Sequence, residues 1–308
     1  MTHLSLKTPH SPNHTQAPPD QFIPAYDILC PQQISAPILF NSPHSGQYVP
    51  PYIEPYLQVD AQQLLYSSDL YVDRLIADIP HYNMSVIKHN YLRSYVDINR
   101  APNEIDQALF NIQSLKLTPP QSTERIDNGF GLFATKTHNH HDIYKKQFHE
   151  DDIIQRLCHV YWPSHFAVEE YLTTLYQRFG TYLLIDCHSM PSLSFINPDF
   201  SQYKQHDIIL GNLFDKSCDR IISDYFYNFF REKGLSVAFN LPYAGGYNTS
   251  HYSDLSVEKH AIQIELNRAC YMDENSLELS DNYQLIKETF NQLANNLSED
   301  YIKILPLY

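Results

Sequence analysis

Two histidines in this chain each follow an apolar run and precede a serine. The first stands in Pro37-Ile-Leu-Phe-Asn-Ser-Pro-His44-Ser45-Gly46, the second in Tyr182-Leu-Leu-Ile-Asp186-Cys-His188-Ser189. Imidazole nitrogen is a preferred zinc donor, and a catalytic zinc usually takes three protein ligands and leaves a position for water. A third apolar run, His260-Ala-Ile-Gln-Ile-Glu265-Leu266, supplies a carboxylate where a general base is needed. Together these residues point to a metal-dependent hydrolase. The plainer alternative is that either histidine is hydrogen-bonded within the fold. The chain holds 16 histidines, and neither of these stands in an HxxE or HExxH motif.

A third ligand has to come from elsewhere. The spacing of Leu65, Val72, Ile76 and Ile79 predicts a helix over Asp60–Ile79, and Asp69 interrupts its apolar stripe. An inward carboxylate is costly to bury unless coordinated or paired, so Asp69 is the leading third ligand, with a salt bridge as the alternative. Asp73, one turn on, and Asp186, on the strand face of His188, are candidates to accept the second N–H of a ligating imidazole. Asp97 joins them from the segment that follows.

Leu92 to Asn99 alternates, with Leu92, Ser94, Val96 and Ile98 on one side and Arg93, Tyr95, Asp97 and Asn99 on the other. This predicts a strand whose polar face is a substrate wall, with Arg100 in the next turn able to fork a carboxylate. An internal Arg100–Asp97 pair is equally open. Glu265 has its own alternative, a pairing with Arg268, which is otherwise a further substrate cation. Gly245-Gly246 admits close approach of backbone to a ligand, so Gly246 and nearby Thr249 are candidate substrate contacts. The run lacks the spacing of a phosphate-binding fingerprint.

Short apolar runs bounded by turn residues suit strands buried on both faces, in a mostly parallel sheet with helices on each side. Ligands of such sheets sit beyond the carboxyl ends of the strands. Further strands are predicted at Met84–Lys88 and Leu235–Phe239. Helices are predicted at Phe166–Phe179 closed by Gly180, at Asn212–Lys233, and from Ser276 to about Ser298. Asn103–His141 reads as a long excursion over the site. Strand and helix signals alternate without a linker, so residues 21–308 read as one α/β domain. Met1–Asp20 is polar, lacks the apolar core of a signal peptide, and reads as a flexible arm.

With 43% hydrophobic residues there is material for a sizeable core, and the formal charge of −14 argues against nucleic acid or an anionic membrane as partner. No run is long enough to span a bilayer. The five scattered cysteines form no CxxC pair and read as reduced thiols of a cytoplasmic protein. A small anionic substrate remains possible where arginines are concentrated.

In order along the chain stand NSPHSG (41–46), SDLYVDRL (68–75), RSYVDINRAPNE (93–104), GLFATKTHNHHDIY (131–144), YWPSH (161–165), LIDCHSMPS (184–192), GNLFDKSCD (211–219), NLPYAGGYNTSHY (240–252) and AIQIELNRACYMDE (261–274). This set resembles the N-formylglutamate amidohydrolase family, itself similar at a distance to zinc carboxypeptidases. The resemblance implies a three-layer fold and one zinc ion held by His44 and His188. It implies Glu265 as base, and Asn99 and Arg100 on a substrate carboxylate. The implied reaction is hydrolysis of N-formyl-L-glutamate to formate and L-glutamate, in the setting of histidine degradation. Three positions depart from the patterns. Gln47 stands where carboxypeptidases carry a glutamate ligand, Ser250 where the family commonly has arginine, and Ser164 where it has tyrosine. The second leaves open the identity of the acyl amino acid; the alternatives are a deacylase or carboxypeptidase-like hydrolase for another N-acyl amino acid, and a catalytically inactive binding protein of the same fold.

Overall fold

The structure, a computed structural model, describes residues 21–111, 124–196 and 205–305. The expected N-terminal arm, and residues 112–123 of the expected excursion, lie outside the described residues. The strands are β1 (Tyr26–Leu29), β2 (Ile38–Ser42), β3 (Ser85–His89), β4 (Phe110–Asn111), β5 (Phe148–His149), β6 (Tyr182–Met190), β7 (Ile208–Gly211), β8 (Val237–Phe239) and β9 (Lys259–Asn267). All but β4 and β5, which pair with each other, form one sheet in the order β1-β3-β2-β6-β9-β7-β8. Its centre, β3-β2-β6-β9, is parallel; β1 at one edge and the β7-β8 pair at the other run opposite to their neighbours.

The helices are α1 (Ala61–Leu65), α2 (Val72–Leu75), α3 (Glu124–Asp127), α4 (Glu150–Arg156), α5 (Trp162–Phe179), α6 (Leu193–Ile196), α7 (Arg220–Glu232), α8 (Tyr247–His251) and α9 (Tyr283–Ile304). None is long and apolar enough to cross a membrane among the described residues. Strand alternation decides which helix covers which face. Phe40, Ile185, Cys187, Ile262 and Ile264 pack with Phe226 of α7 and Phe290 and Leu293 of α9. Leu39, Ile87, Leu184 and Ala261 point the other way, against Val168, Leu172 and Leu175 of α5. Each such side chain contributes roughly 1.5–3 kcal/mol on full burial. The result is the expected α/β sandwich of a mostly parallel sheet between helical layers.

A third apolar cluster lies outside the sheet and is organised around a charge. Arg156 is fully buried, 2.6 Å from Asp152, with Tyr95, Phe133 and Phe148 rings within 5.3 Å of its guanidinium carbon. Its Nη1 donates to Tyr95 O at 3.0 Å, and Tyr161 Oη donates to Arg100 O at 2.8 Å. This platform holds the segment that carries Arg93, Asp97, Asn99 and Arg100.

Three expected elements form differently. Asp60–Ile79 is not one helix: α1 stops at Leu65, and Tyr71, at φ 67°, stands in the left-handed region that a right-handed helix cannot include. Asp69 sits in the break between α1 and α2. Leu92–Asn99 is not a strand but consecutive turns, with Tyr95 and Val96 N both donating to Leu92 O. Asp97 Oδ1 takes the Asn99 N–H at 2.9 Å, a local bond that competes with a strand ladder. Likewise α7 begins at Arg220 rather than Asn212, because Leu213, Phe214 and Asp215 are all left-handed.

Candidate active site

At the carboxyl end of the sheet the face covered by α5 turns polar. The β2–β6 register sets Asn41 beside Asp186, and the β6–β9 register sets Asp186 beside Gln263 and His188 beside Glu265. Cys187 points into the apolar core on the other face, as alternation requires. His44 follows β2 by two residues and meets His188 with ring centroids 4.8 Å apart.

The third member arrives from the α1–α2 break. Asp69 Oδ2 lies 3.1 Å from His188 Nδ1 and 3.4 Å from His44 Nδ1, and all three residues are buried. The serine after each histidine helps place it. Ser45 Oγ donates to Asp69 O at 2.9 Å, and Ser189 Oγ donates to Asp69 Oδ1 at 3.3 Å. Arg268 binds the same Oδ1 at 3.2 Å and Ser189 Oγ at 3.1 Å, leaving Oδ2 aimed at the histidines.

The far nitrogens of both rings are engaged. His44 Nε2 lies 2.7 Å from Asp97 Oδ1, and His188 Nε2 lies 2.8 Å from Asp186 Oδ2. A carboxylate only accepts, so both Nε2 atoms carry hydrogen and a neutral ring turns its Nδ1 lone pair toward Asp69. His44 Nδ1 is buried without a hydrogen-bond partner. Two lone pairs and a carboxylate oxygen, mutually within 4.8 Å, repel one another unless a cation sits among them. This N,N,O set fits zinc. Without such an ion the field falls on the groups themselves. Burial raises Asp69, but the neighbouring rings of His188 and His44 hold it well below the usual carboxylate range. Burial likewise opposes a charged His188, but Asp186 and Asp69 raise it well above the usual imidazole range.

Glu265 stands opposite His188, hydrogen-bonded by Gln263 Nε2 at 2.9 Å. Burial, reinforced by Asp69, pushes it up to about 7, where a base can take a proton at neutral pH and return it. Arg268 does not pair with it, because its three nitrogens are spent on Asp69, Ser189 and Tyr66 O.

The other candidates separate into those that face the site and those that build it. Arg93 Nη2 binds Asp97 Oδ2 at 2.8 Å while its side chain stays 24% exposed. Arg100 is engaged by backbone: Nε donates to Phe130 O and Nη1 to Asn99 O, with Nη2 3.8 Å from Asp97. Asn99 Oδ1 takes the Asn248 N–H at 2.8 Å, and a Cβ on Gly246 would collide with the Asn99 amide. Thr249 Oγ1 accepts from Gly246 N at 3.3 Å and is fully buried. Asp73 meets neither histidine among the described contacts, its amide donating instead to Ser45 Oγ at 3.1 Å. Asn41, Asn248 and Tyr243 escaped sequence reasoning. Burial, reinforced by the charge of Glu265, pushes the Tyr243 phenol up to about 12. The alternation that singled out Asp186 extends to Asn41 through Leu39, a signal present in the sequence.

A family model described as N-formylglutamate amidohydrolase matches residues 36–272. The chain is 26% identical over 253 residues to an N-formylglutamate deformylase of Pseudomonas aeruginosa, covering 81% of this chain and 87% of that one. A second such deformylase, from Pseudomonas putida, is 27% identical over 248 residues, 80% of this chain and 86% of the relative. The crystal structure of N-formylglutamate amidohydrolase from Ralstonia eutropha JMP134 superposes with a TM-score of 0.83 at 26% identity, covering 91% of this chain and 99% of that one.

Proposed function

The chain belongs to the N-formylglutamate amidohydrolase family, and from that premise we propose that it hydrolyses N-formyl-L-glutamate to formate and L-glutamate at a zinc ion held by His44, Asp69 and His188. The observation that carries the metal assignment is the convergence of both Nδ1 atoms on Asp69 Oδ2, with all three residues buried and His44 Nδ1 lacking a hydrogen-bond partner. The deformylases it resembles support the substrate.

A zinc ion so held would supply Lewis-acid polarisation of the formyl oxygen and would lower the pKa of the attacking water toward neutrality. Glu265 takes one proton from that water as its oxygen bonds to the formyl carbon. The same carboxyl returns the proton to the amide nitrogen as the C–N bond breaks, so one residue serves as base and then acid. Asp97 and Asp186 hold the ligating rings in a single tautomer. Arg93 presents the available guanidinium for a substrate carboxylate, and Arg100 and Asn99 keep the wall behind it in shape.

The deciding experiment incubates zinc-loaded protein with N-formyl-L-glutamate, N-formyl derivatives of other amino acids and N-acetyl-L-glutamate, measuring formate and free amine. Preference for N-formyl-L-glutamate is expected. Ser250 is exposed and its hydroxyl turns back to Tyr247 O, so no cation reaches the site from that position. A stronger activity on an uncharged N-formyl amino acid would replace the substrate assignment and leave the metal chemistry standing.

A further inference from the structure

Behind His188 a line of hydrogen bonds runs through the sheet with every donor direction forced. Asp186 Oδ2 accepts from His188, and Asp186 Oδ1 lies 2.7 Å from Asn41 Nδ2. Because the carboxylate only accepts, Asn41 must turn its NH2 toward Asp186 and its carbonyl oxygen away. That oxygen lies 3.0 Å from His89 Nε2, so His89 carries its ring proton there. His89 Nδ1 is left without a partner. Asn41 and Asp186 are fully buried and His89 is 4% exposed, so the line is shielded from bulk water.

The two ligand histidines are backed differently. Asp97, behind His44, is met by Arg93 at 2.8 Å and Arg100 at 3.8 Å. Asp186, behind His188, is met by the neutral amides of Asn41 and Asn248, the latter at 3.3 Å and 3.4 Å. A carboxylate with no cation drawing on its charge pulls harder on the imidazole N–H and makes the opposite nitrogen a better donor. Burial holds His89 down to about 3, so the relay stays neutral at physiological pH.

We propose that His89 is a positioning residue for the metal-ligating His188, acting through Asn41 and Asp186. Its Nε2–H fixes the Asn41 amide so that a neutral donor, and not a second oxygen, faces Asp186. Loss of that donor leaves a buried carbonyl oxygen unpaired and free to turn against the carboxylate. The inference rests on the metal reading above but not on the choice of substrate.

The test compares His89→Leu, which removes the donor, with His89→Gln, which keeps an amide N–H in reach of Asn41. Zinc affinity is read by competition of the zinc-free proteins with a chromophoric chelator. His89→Leu should bind zinc about tenfold more weakly and His89→Gln within about threefold of wild type. KM for N-formyl-L-glutamate at saturating zinc should be unchanged in both. Independently of either variant, 15N imidazole spectra of the zinc-free wild type should show His89 as the neutral Nε2–H tautomer. A proton on His89 Nδ1, undiminished zinc affinity in His89→Leu, or equal weakening in both variants would each overturn the proposal. Wild-type protein that takes up no zinc overturns it together with the metal reading, whereas zinc-loaded protein that leaves N-formyl-L-glutamate intact overturns the substrate reading alone.

Discussion

Replacing Arg93 by alanine separates substrate recognition from the framework that surrounds it. Among the described residues Arg93 is bound only by its Nη2, to Asp97, and its remaining donors are free. Burial disfavours its charge, but Asp97, Asp69 and Glu265 outweigh that and raise it, so it stays cationic beside the reacting groups. Losing a charged contact whose partner remains buried typically costs about 2–5 kcal/mol. At about 1.4 kcal/mol per tenfold, KM for an N-formyl amino acid should rise roughly 30- to 4,000-fold in Arg93→Ala. Zinc content should hold, because Asp97 keeps His44, the Asn99 N–H and Arg100. Arg93→Lys should restore part of the loss, since lysine lacks the planar fork. Arg100→Ala provides the control: its donors serve Phe130 O and Asn99 O, so it should lower the thermal midpoint more than it raises KM. Steady-state kinetics with zinc analysis and thermal melts decide the matter. If Arg93→Ala kept KM within a few-fold while Arg100→Ala raised it without loss of stability, the two roles would be reversed.

Glu265→Gln preserves shape and removes the proposed base, so kcat should fall about 10²–10⁴-fold at unchanged zinc content; near-normal turnover would assign the proton transfer elsewhere. Gly246→Ala drives a Cβ into the Asn99 amide and should cost about 1–3 kcal/mol of stability, read by denaturant midpoint, while an unchanged midpoint would mean the loop gives way freely. Burial holds His89 and His165 down to about 3, against about 6.5 when unfolded, so unfolding takes up protons between those values. Their contribution is complete above about pH 6.5 and falls with decreasing pH by about 1.4 kcal/mol per unit for each ring. His165→Gln should therefore flatten the pH dependence of urea stability between pH 6 and pH 4, and an unaltered slope would refute the assignment.

Much of the frame was legible because buried parallel strands advertise themselves. The runs ending at His44, at His188 and through Glu265 became β2, β6 and β9, and their period of two told which residues share a face. That one rule separates Cys187 from His188 and joins Asp186 to it. Turns obey no such rule. Leu92–Asn99 alternates as a strand would, but the Asx bond of Asp97 and the Arg156 hold on Tyr95 O impose a coiled path. Arg100 consequently gives Nε to Phe130 O and Nη1 to Asn99 O, bonds that sequence spacing alone could not decide.

Asp69 shows the difference between a residue and the reason for it. An inward place on a continuous helix suggested it, yet that helix is broken beside it by the left-handed Tyr71. What brings it between the histidines is tertiary: Ser45 on its carbonyl, Ser189 and Arg268 on its outer oxygen. The serine after each histidine, conspicuous in the sequence but without an evident purpose, thus ties two distant strand ends to one carboxylate. Each strand therefore delivers a donor together with a fastening for the residue that faces it. Such a site assembles when β2 and β6 pair, because neither His44–Ser45 nor His188–Ser189 can secure Asp69 on both sides alone.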